Sequence, residues 1–490
     1  MLAAAMLLPL GLAMAMRDGE QVLHFAYALM WVLFGSGLLI ATTRRTTGSE
    51  GSEGSEGSAG APPAPRPPHW LLVGAVVWGG VPLWGALPLW GNQGLGFGAA
   101  WFESLSGFTT TGATMLAQPD TAPAAILLWR SLLNGCGAVW TIVFALAIAL
   151  PLRCGGLDCK SWLLGERDTD MAAALRQQTL VVTLVFGLAA LGGALGLMLS
   201  GMPPLWAVCL ALSGLSTGGF APTAMPLASA LPPGGLAVLS LLIFAGAVSF
   251  PLWPGSQPRT RVRGARAGAR AALRAPLMLR DGEWRGFCLW LALWAVGGAL
   301  AWGWQPGEAF LVALNFVSTA GFVFVPAATL GGAAAVWLLA PMLVGGMSLS
   351  TAGGSKMLRA LLVWRSVRQN VRRLVVPHAA DRVRLAGHQV TAAHVSACWT
   401  HFAALMLLLG GGLLLGSWLL NLDLPHNLQF VVANLGNVNY QALGGPLAEA
   451  GALSGAGMVL AGALMLAGRM EFVLFLLIIH PLLWRSLREL

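Results

Sequence analysis

Charge is scarce in this chain. Only 10% of its 490 residues are Asp, Glu, Lys or Arg, and 57% are hydrophobic. A soluble domain carries roughly 25% charge. So little charge cannot clothe a water-facing surface, which excludes an ordinary soluble globule. The apolar runs are long and continuous, which indicates membrane helices rather than a β-barrel of short alternating strands. Lysine is nearly absent, with only Lys160 and Lys356, so the net charge of +9 is carried by arginine. The arginines sit between apolar segments, where a topology signal belongs, and no nucleic-acid partner is expected. The six cysteines are Cys136, Cys154, Cys159, Cys209, Cys288 and Cys398, without zinc-finger spacing. Cys154 and Cys159 share a loop expected in the cytoplasm, where thiols stay reduced. The other four are expected as small core residues. The histidines are scattered, with no His-Glu-x-x-His spacing and no convergent acid, base or metal groups, so an enzyme is not expected. No cleavable signal is expected at the start of the chain, and Leu2–Met16 reads as a short first helix.

What the chain does have is a polar stretch between two long apolar segments, Phe102-Glu-Ser-Leu-Ser-Gly-Phe-Thr-Thr-Thr-Gly-Ala-Thr114. Irregular backbone survives at membrane depth only where protein buries it or it lines a watery cavity. Thr109, Thr110 and Thr111 offer carbonyl and hydroxyl oxygens, and Gly112 can turn a carbonyl inward without a Cβ clash. Oxygens that replace part of a hydration shell make a cation filter. The stretch recurs at Leu215-Ser-Thr-Gly-Gly-Phe-Ala-Pro222 and Val317-Ser-Thr-Ala-Gly-Phe-Val323. A degenerate fourth copy is Ala433-Asn-Leu-Gly-Asn-Val-Asn-Tyr440. Aligned by the loop, Gly112, Gly219, Gly321 and Asn439 fall in register at spacings of 107, 102 and 118 residues. Near-constant spacing marks internal repetition.

The expected filter residues are Thr110, Thr111 and Gly112; Thr217, Gly218 and Gly219; Thr319, Ala320 and Gly321; and Asn437, Val438 and Asn439. The cation is expected on all of these but Gly219, Gly321 and Asn439. Each loop follows a short helix whose carbonyl end favours a cation.

The expected fold is an all-α integral membrane protein of four helix–pore-loop–helix units in pseudo-fourfold arrangement, after an N-terminal helical pair. The pair (1–45) comprises Leu2–Met16 and Val22–Thr42. A disordered Gly/Ser/Glu/Pro linker follows at 46–68. Unit one (69–165) has Trp70–Leu89, Phe97–Gly107 and Ala122–Leu152. Unit two (166–258) has Met171–Ser200, Leu205–Leu215 and Leu231–Leu252. Unit three (259–385) has Gly286–Trp302, Pro306–Val317 and Gly331–Val375. Unit four (386–490) has Thr391–Leu420, Pro425–Ala433 and Gly451–Trp484. That makes about ten spans. Eight arginines from Arg259 to Arg285 and six from Arg365 to Arg384 share one side with Arg44, Arg45, Arg153, Lys160, Arg485 and Arg488. The positive-inside rule puts that side and both termini in the cytoplasm.

Two further motifs stand out. Gly345-Gly-Met-Ser-Leu-Ser-Thr-Ala-Gly-Gly-Ser-Lys356 interrupts the second long helix of unit three. So much Gly and Ser breaks a helix, and a broken helix beneath a pore makes a gate. The same residues also suit a packing kink. The gate residues are Gly345, Gly346, Ser350, Thr351, Gly353, Gly354 and Lys356, with Lys356 either near the pore or at the cytoplasmic helix end. Gly468-Arg-Met-Glu471 places Arg469 and Glu471 in an apolar run, where charge faces a cavity or a partner. A structural ion pair or a snorkelling side chain is the alternative. Glu103 reads as pairing behind the first loop.

Phe102–Thr114, Ser216–Phe220 and Ser318–Phe322 resemble the pore loops of the Trk/Ktr/HKT superfamily of potassium transporters. With the leading helical pair, the chain is most similar to the bacterial TrkH/TrkG branch, over nearly its whole length. The resemblance implies a pseudo-fourfold potassium pore in the inner membrane, with potassium as the bound ion and no organic cofactor. It also implies a homodimer, a cytoplasmic nucleotide-binding regulatory ring similar to TrkA, an intramembrane gating loop at 345–356, and a pore-facing Arg469 acting as an electrostatic barrier. Passive gated cation transport, potassium uptake in particular, is the expected function. A non-conducting scaffold that kept the fold is the alternative. The chain departs from the family at the fourth loop, where Gly436-Asn-Val-Asn-Tyr440 stands for a pattern like Asn-Asn-Val-Gly-Pro-Gly. Asn439 is then expected to narrow the pore, add an amide oxygen or change selectivity, and asparagine tolerates left-handed backbone. Asn134-Gly-Cys-Gly-Ala-Val-Trp140 also departs from the family's usual Gly-Gly-Met-Gly character.

Overall fold

The computed structural model describes residues 2–49, 67–151, 171–254, 256, 281–326, 330–376, 384–385, 388–447, 449 and 451–479. Cys154, Cys159, Lys160 and the arginines from Arg259 to Arg280 lie outside the described residues, as does the middle of the expected linker. The ends of that linker are helical: one helix runs Gly19–Ser49 and the next opens at Pro67.

Four short helices organise everything else: Phe97–Phe108, Pro204–Leu215, Pro306–Val317 and Leu424–Gly436. The first three have 12 residues and the last 13. At 1.5 Å per residue each reaches only about 18–20 Å, too short to cross a hydrocarbon core of about 30 Å. Proline in the first turn starts three of them, where a missing N–H costs no helical bond. A longer helix precedes each. Those that precede the loops are Pro67–Gly85, Met171–Leu199, Gly282–Trp302 and Ala392–Leu420.

Among the described residues, four helices are long and apolar enough to cross a bilayer. Several of the other expected spans are shorter or interrupted. Burial separates an inner helix from outer ones: the most apolar window of Ala124–Ala149 is 78% buried, against 22% for Gly282–Trp302 and Ala392–Leu420. The outer helices turn leucines such as Leu184, Leu188 and Leu414 outward, which suits lipid. The N-terminal pair, Leu2–Ala15 and Gly19–Ser49, packs Met6, Phe25 and Ala28 on Ile126 and Trp129 of unit one. Phe25 and Trp129 meet edge to face at 6.0 Å.

Three expected long helices are broken, each for a visible reason. The helix of unit two ends at Ala247 rather than Leu252, because Val248 is extended and Phe250 N–H donates to Leu349 O (2.9 Å). Unit three has two short helices, Gly332–Trp337 and Leu339–Val344, then irregular backbone before Met357–Val375. The last helix divides into Gly455–Arg469 and Phe472–Ile479 around Glu471, whose φ is 64°. A small hairpin pairs Arg384–Leu385 with His388–Gln389; the rest of the described regular structure is helical.

Candidate ion pore and gate loop

Each short helix ends in the same way. Thr111, Gly218, Ala320 and Val438 donate their N–H to Ser106, Ser213, Asn315 and Ala433 O, all at 2.8 Å. One residue earlier, Thr110, Thr217, Thr319 and Asn437 donate to Gly107, Gly214, Phe316 and Asn434 O. This paired pattern is a Schellman ending, which needs a left-handed residue just past the helix. Glycine usually fills that place. Here Thr110, Thr217, Thr319 and Asn437 fill it, with φ of 50°, 51°, 60° and 52°. A β-branched residue with positive φ is an outlier held by its surroundings, and such strain gathers at functional sites. The four left-handed residues fall in the register read from the sequence.

The loops form a ring. Gly112, Gly219 and Gly321 have φ of 84°, 72° and 70°. A Cβ on Gly112 would strike Gly218 O and Gly219; on Gly219 it would stand 2.6 Å from Ala320 O; on Gly321 it would stand 2.6 Å from Asn439 N. Loop one thus abuts loop two, two abuts three, and three abuts four. Loop four returns to loop one through Asn437 Nδ2, which donates to Thr111 Oγ1 (3.3 Å), and through Gln441 on Thr114.

Asn439 behaves differently from its expectation. Its φ is −63°, not left-handed, and its Oδ1 accepts from Gln441 N–H at 3.0 Å. The side chain caps the 3-10 turn Tyr440–Leu443, so its amide oxygen is spent on its own loop. The left-handed asparagine is Asn437.

The expected gate loop, residues 345–356, lies directly against this ring. Gly353 N–H donates to Thr319 Oγ1 (2.6 Å), and Thr351 Oγ1 donates to Gly246 O (2.8 Å) with Leu215 O at 3.2 Å. Gly345 and Gly354 have positive φ (71° and 72°) and pack backbone to backbone. Gly346 O accepts from Met357 N–H at 2.9 Å, and Ser350 Oγ donates to Met347 O at 2.5 Å. Lys356 lies inside the loop: its Nζ donates to Ala352 O, with Ser350 O at 3.4 Å.

Arg469 joins ring and gate loop. It donates to Thr109 O and Thr110 Oγ1 above, and to Thr351 O at 2.7 Å and Ala352 O at 3.3 Å below. Gly468 packs on Leu435 O, so no larger residue fits beside it. Gly468, Arg469, Glu471, Lys356 and Gly353 line a small cavity of about 30 Å³ with Ala145 and Ala149 of a π-helical turn. Such turns recur at functional sites. Glu471 is an ion-pair partner instead: it meets Arg359 at 2.7 Å, with His401 Nδ1 at 3.6 Å.

Two buried carboxylates brace the loops. Glu103 accepts from Arg130 Nε (2.6 Å), Thr114 Oγ1 (2.9 Å) and Met115 N–H (2.6 Å). Glu283, which the sequence reading overlooked, accepts from Ser348 N–H (2.5 Å), Ser348 Oγ (2.8 Å) and Leu358 N–H (3.1 Å). The signal for it was an acidic residue in the first turn of an apolar helix, after the capping Asp281. Glu283→Ala is expected to cost about 3 kcal/mol by orphaning buried donors on both sides of the gate loop. Thermal unfolding in detergent, followed by tryptophan fluorescence, should show a lower midpoint; an unchanged midpoint would remove Glu283 from this role.

Four short helices whose loops close into a ring, packed against a broken helix and joined to it by a buried arginine, define the architecture of a membrane transport protein. The family model described as "TrkH: Cation transport protein" matches residues 75–300 and 307–481, and the chain belongs to that family. The Trk system potassium uptake protein TrkI of Halomonas elongata is 30% identical over 405 residues, 79% of this chain and 78% of that protein. The Trk system potassium uptake protein TrkH of Salmonella typhimurium is 27% identical, with 79% of each chain covered. The crystal structure of the potassium transporter TrkH from Vibrio parahaemolyticus superposes with a TM-score of 0.78 at 24% identity, covering 98% of this chain and 96% of that one; this likeness shows the fold.

Proposed function

We propose that this protein conducts potassium passively into the cell through the ring, driven by the membrane potential at roughly 2.3 kcal/mol per charge per 100 mV. The observation that carries the reading is the repeated helix ending, with Thr110, Thr217, Thr319 and Asn437 left-handed in register. On this reading the backbone oxygens of successive residues face one axis. The ion meets oxygens of Thr110, Thr111 and Gly112, of Thr217 and Gly218, of Thr319 and Ala320, and of Asn437 and Val438, while Gly219 and Gly321 let the loops close. Short-helix dipoles aim their negative ends at the same place. Residues 345–356 gate the pathway, with Arg469 as a positive barrier below the ring.

The positive-inside distribution supports cytoplasmic termini and a multi-pass inner-membrane location. A homodimer and a cytoplasmic nucleotide-binding regulatory ring similar to TrkA fit a protein whose relatives are named as parts of Trk systems. No observation favours an enzymatic role.

Rubidium uptake into proteoliposomes tests the reading. Uptake blocked by potassium and little affected by sodium is the expected result. Equal competition by the two ions would refute potassium selectivity. No uptake, even with the nucleotide-binding partner added, would favour a non-conducting scaffold.

A further inference from the structure

The seam between the fourth and first loops is closed by a side chain. Gln441 Oε1 accepts from Thr114 N–H at 2.9 Å, and Gln441 Nε2 donates to Thr114 O at 3.0 Å. One amide thereby satisfies both backbone groups of one residue, as a neighbouring strand would. Thr114 and Gln441 occupy equivalent places, each two residues past the register positions Gly112 and Asn439. Two of the other seams are closed differently. Between loops two and three, Leu227 N–H and Ala228 N–H donate to Val323 O and Phe324 O at 2.8 and 3.1 Å. Between loops one and two, Asp120 Oδ2 accepts from Ala224 N–H at 3.0 Å.

Both ends of the glutamine clamp are fixed. On the first loop, Thr114 Oγ1 donates to Glu103 and accepts from Arg130 Nη2, each at 2.9 Å. The same guanidinium lies 4.2 Å over the ring of Phe220 in loop two. On the fourth loop, the Asn439 cap orients the turn that carries Gln441. Asn439 and Gln441 act as one device: the first shapes the turn and the second binds it to the neighbouring loop.

We infer that Gln441 is a positioning residue for ion selectivity, acting through Thr114 to set the width of the ring at the one seam where left-handed glycine packing is missing. The inference rests on the potassium reading above.

The test is competition by potassium and sodium against rubidium uptake in Gln441→Leu and Gln441→Glu. Leucine keeps the bulk and removes both hydrogen bonds. Sodium should then compete about tenfold better relative to potassium, the scale of one or two buried hydrogen bonds. Glutamate keeps the acceptor for Thr114 N–H and loses the donor to Thr114 O, so a smaller shift in the same direction is expected. If the leucine variant does not fold, the glutamate variant decides. A merely structural role would lower yield or total uptake and leave the sodium-to-potassium ratio at its wild-type value, and that result overturns the inference. A wild type that does not discriminate the two ions overturns the potassium reading and this inference with it. A selective wild type beside variants of equal selectivity overturns the inference alone.

Discussion

Gly219→Leu is expected to bring rubidium uptake to roughly a hundredth of wild type or less while the protein remains folded and membrane-inserted. Two effects add at this position. The backbone has φ 72°, where a side chain costs about 1–2 kcal/mol. A Cβ would also stand 2.6 Å from Ala320 O and 3.3 Å from the carbonyl of Gly321. Those atoms are backbone and cannot swing away, so loops two and three must part. The helices that hold the loops are fixed by their own packing, which is why the damage stays in the ring. Uptake should be measured beside a size-exclusion profile of the purified variant. Retained uptake in a well-folded variant would contradict the filter assignment for all three glycines, because Gly112 and Gly321 sit in the same backbone geometry.

Arg469→Ala is expected to raise cation flux about tenfold or more. A unit charge near a pathway for cations opposes them by a few kcal/mol at an effective dielectric near 20, and Arg469 is only 5% exposed to solvent. The same side chain ties Thr109 O to Thr351 O, so its removal also loosens the gate loop from the ring. Arg469→Lys separates the two effects, since it keeps the charge and loses the fork of donors. Flux near wild type in the lysine variant, with high flux in the alanine variant, would assign the barrier to charge. High flux in both would assign it to the bridge between loops. A fall or no change in the alanine variant would count against any barrier role.

The interruptions at 345–356 and 470–471 have different origins. The first was legible as sequence, because twelve residues rich in Gly and Ser cannot hold a helix at membrane depth. The second was not. Met470 and Glu471 are ordinary helix formers, and the break arises because Glu471 turns left-handed to meet Arg359 in another unit. The shortened helix ending at Ala247 is of the same kind: Ser249 Oγ donates to Ser348 O at 2.5 Å, so the chain leaves its helix to bind the gate loop.

The sequence by itself determined the membrane class, the four repeated units, the positions of the short helices and the register of the four loops. These follow from local quantities: the density of apolar residues, the length of each run, and a polar Gly/Thr pattern that recurs. Tertiary structure alone decided which neighbour each loop meets, and therefore what each polar side chain does. Asn439 caps its own turn, Gln441 binds the first loop, Glu283 holds the gate loop, and Lys356 and Arg469 share Ala352 O. The reason is physical. A hydrogen bond inside a low-dielectric interior is made wherever a buried donor finds an acceptor, and the partners of Glu283, Gln441 and Arg469 lie 65 to 360 residues away in the chain. No local pattern encodes such a meeting until the helices have packed.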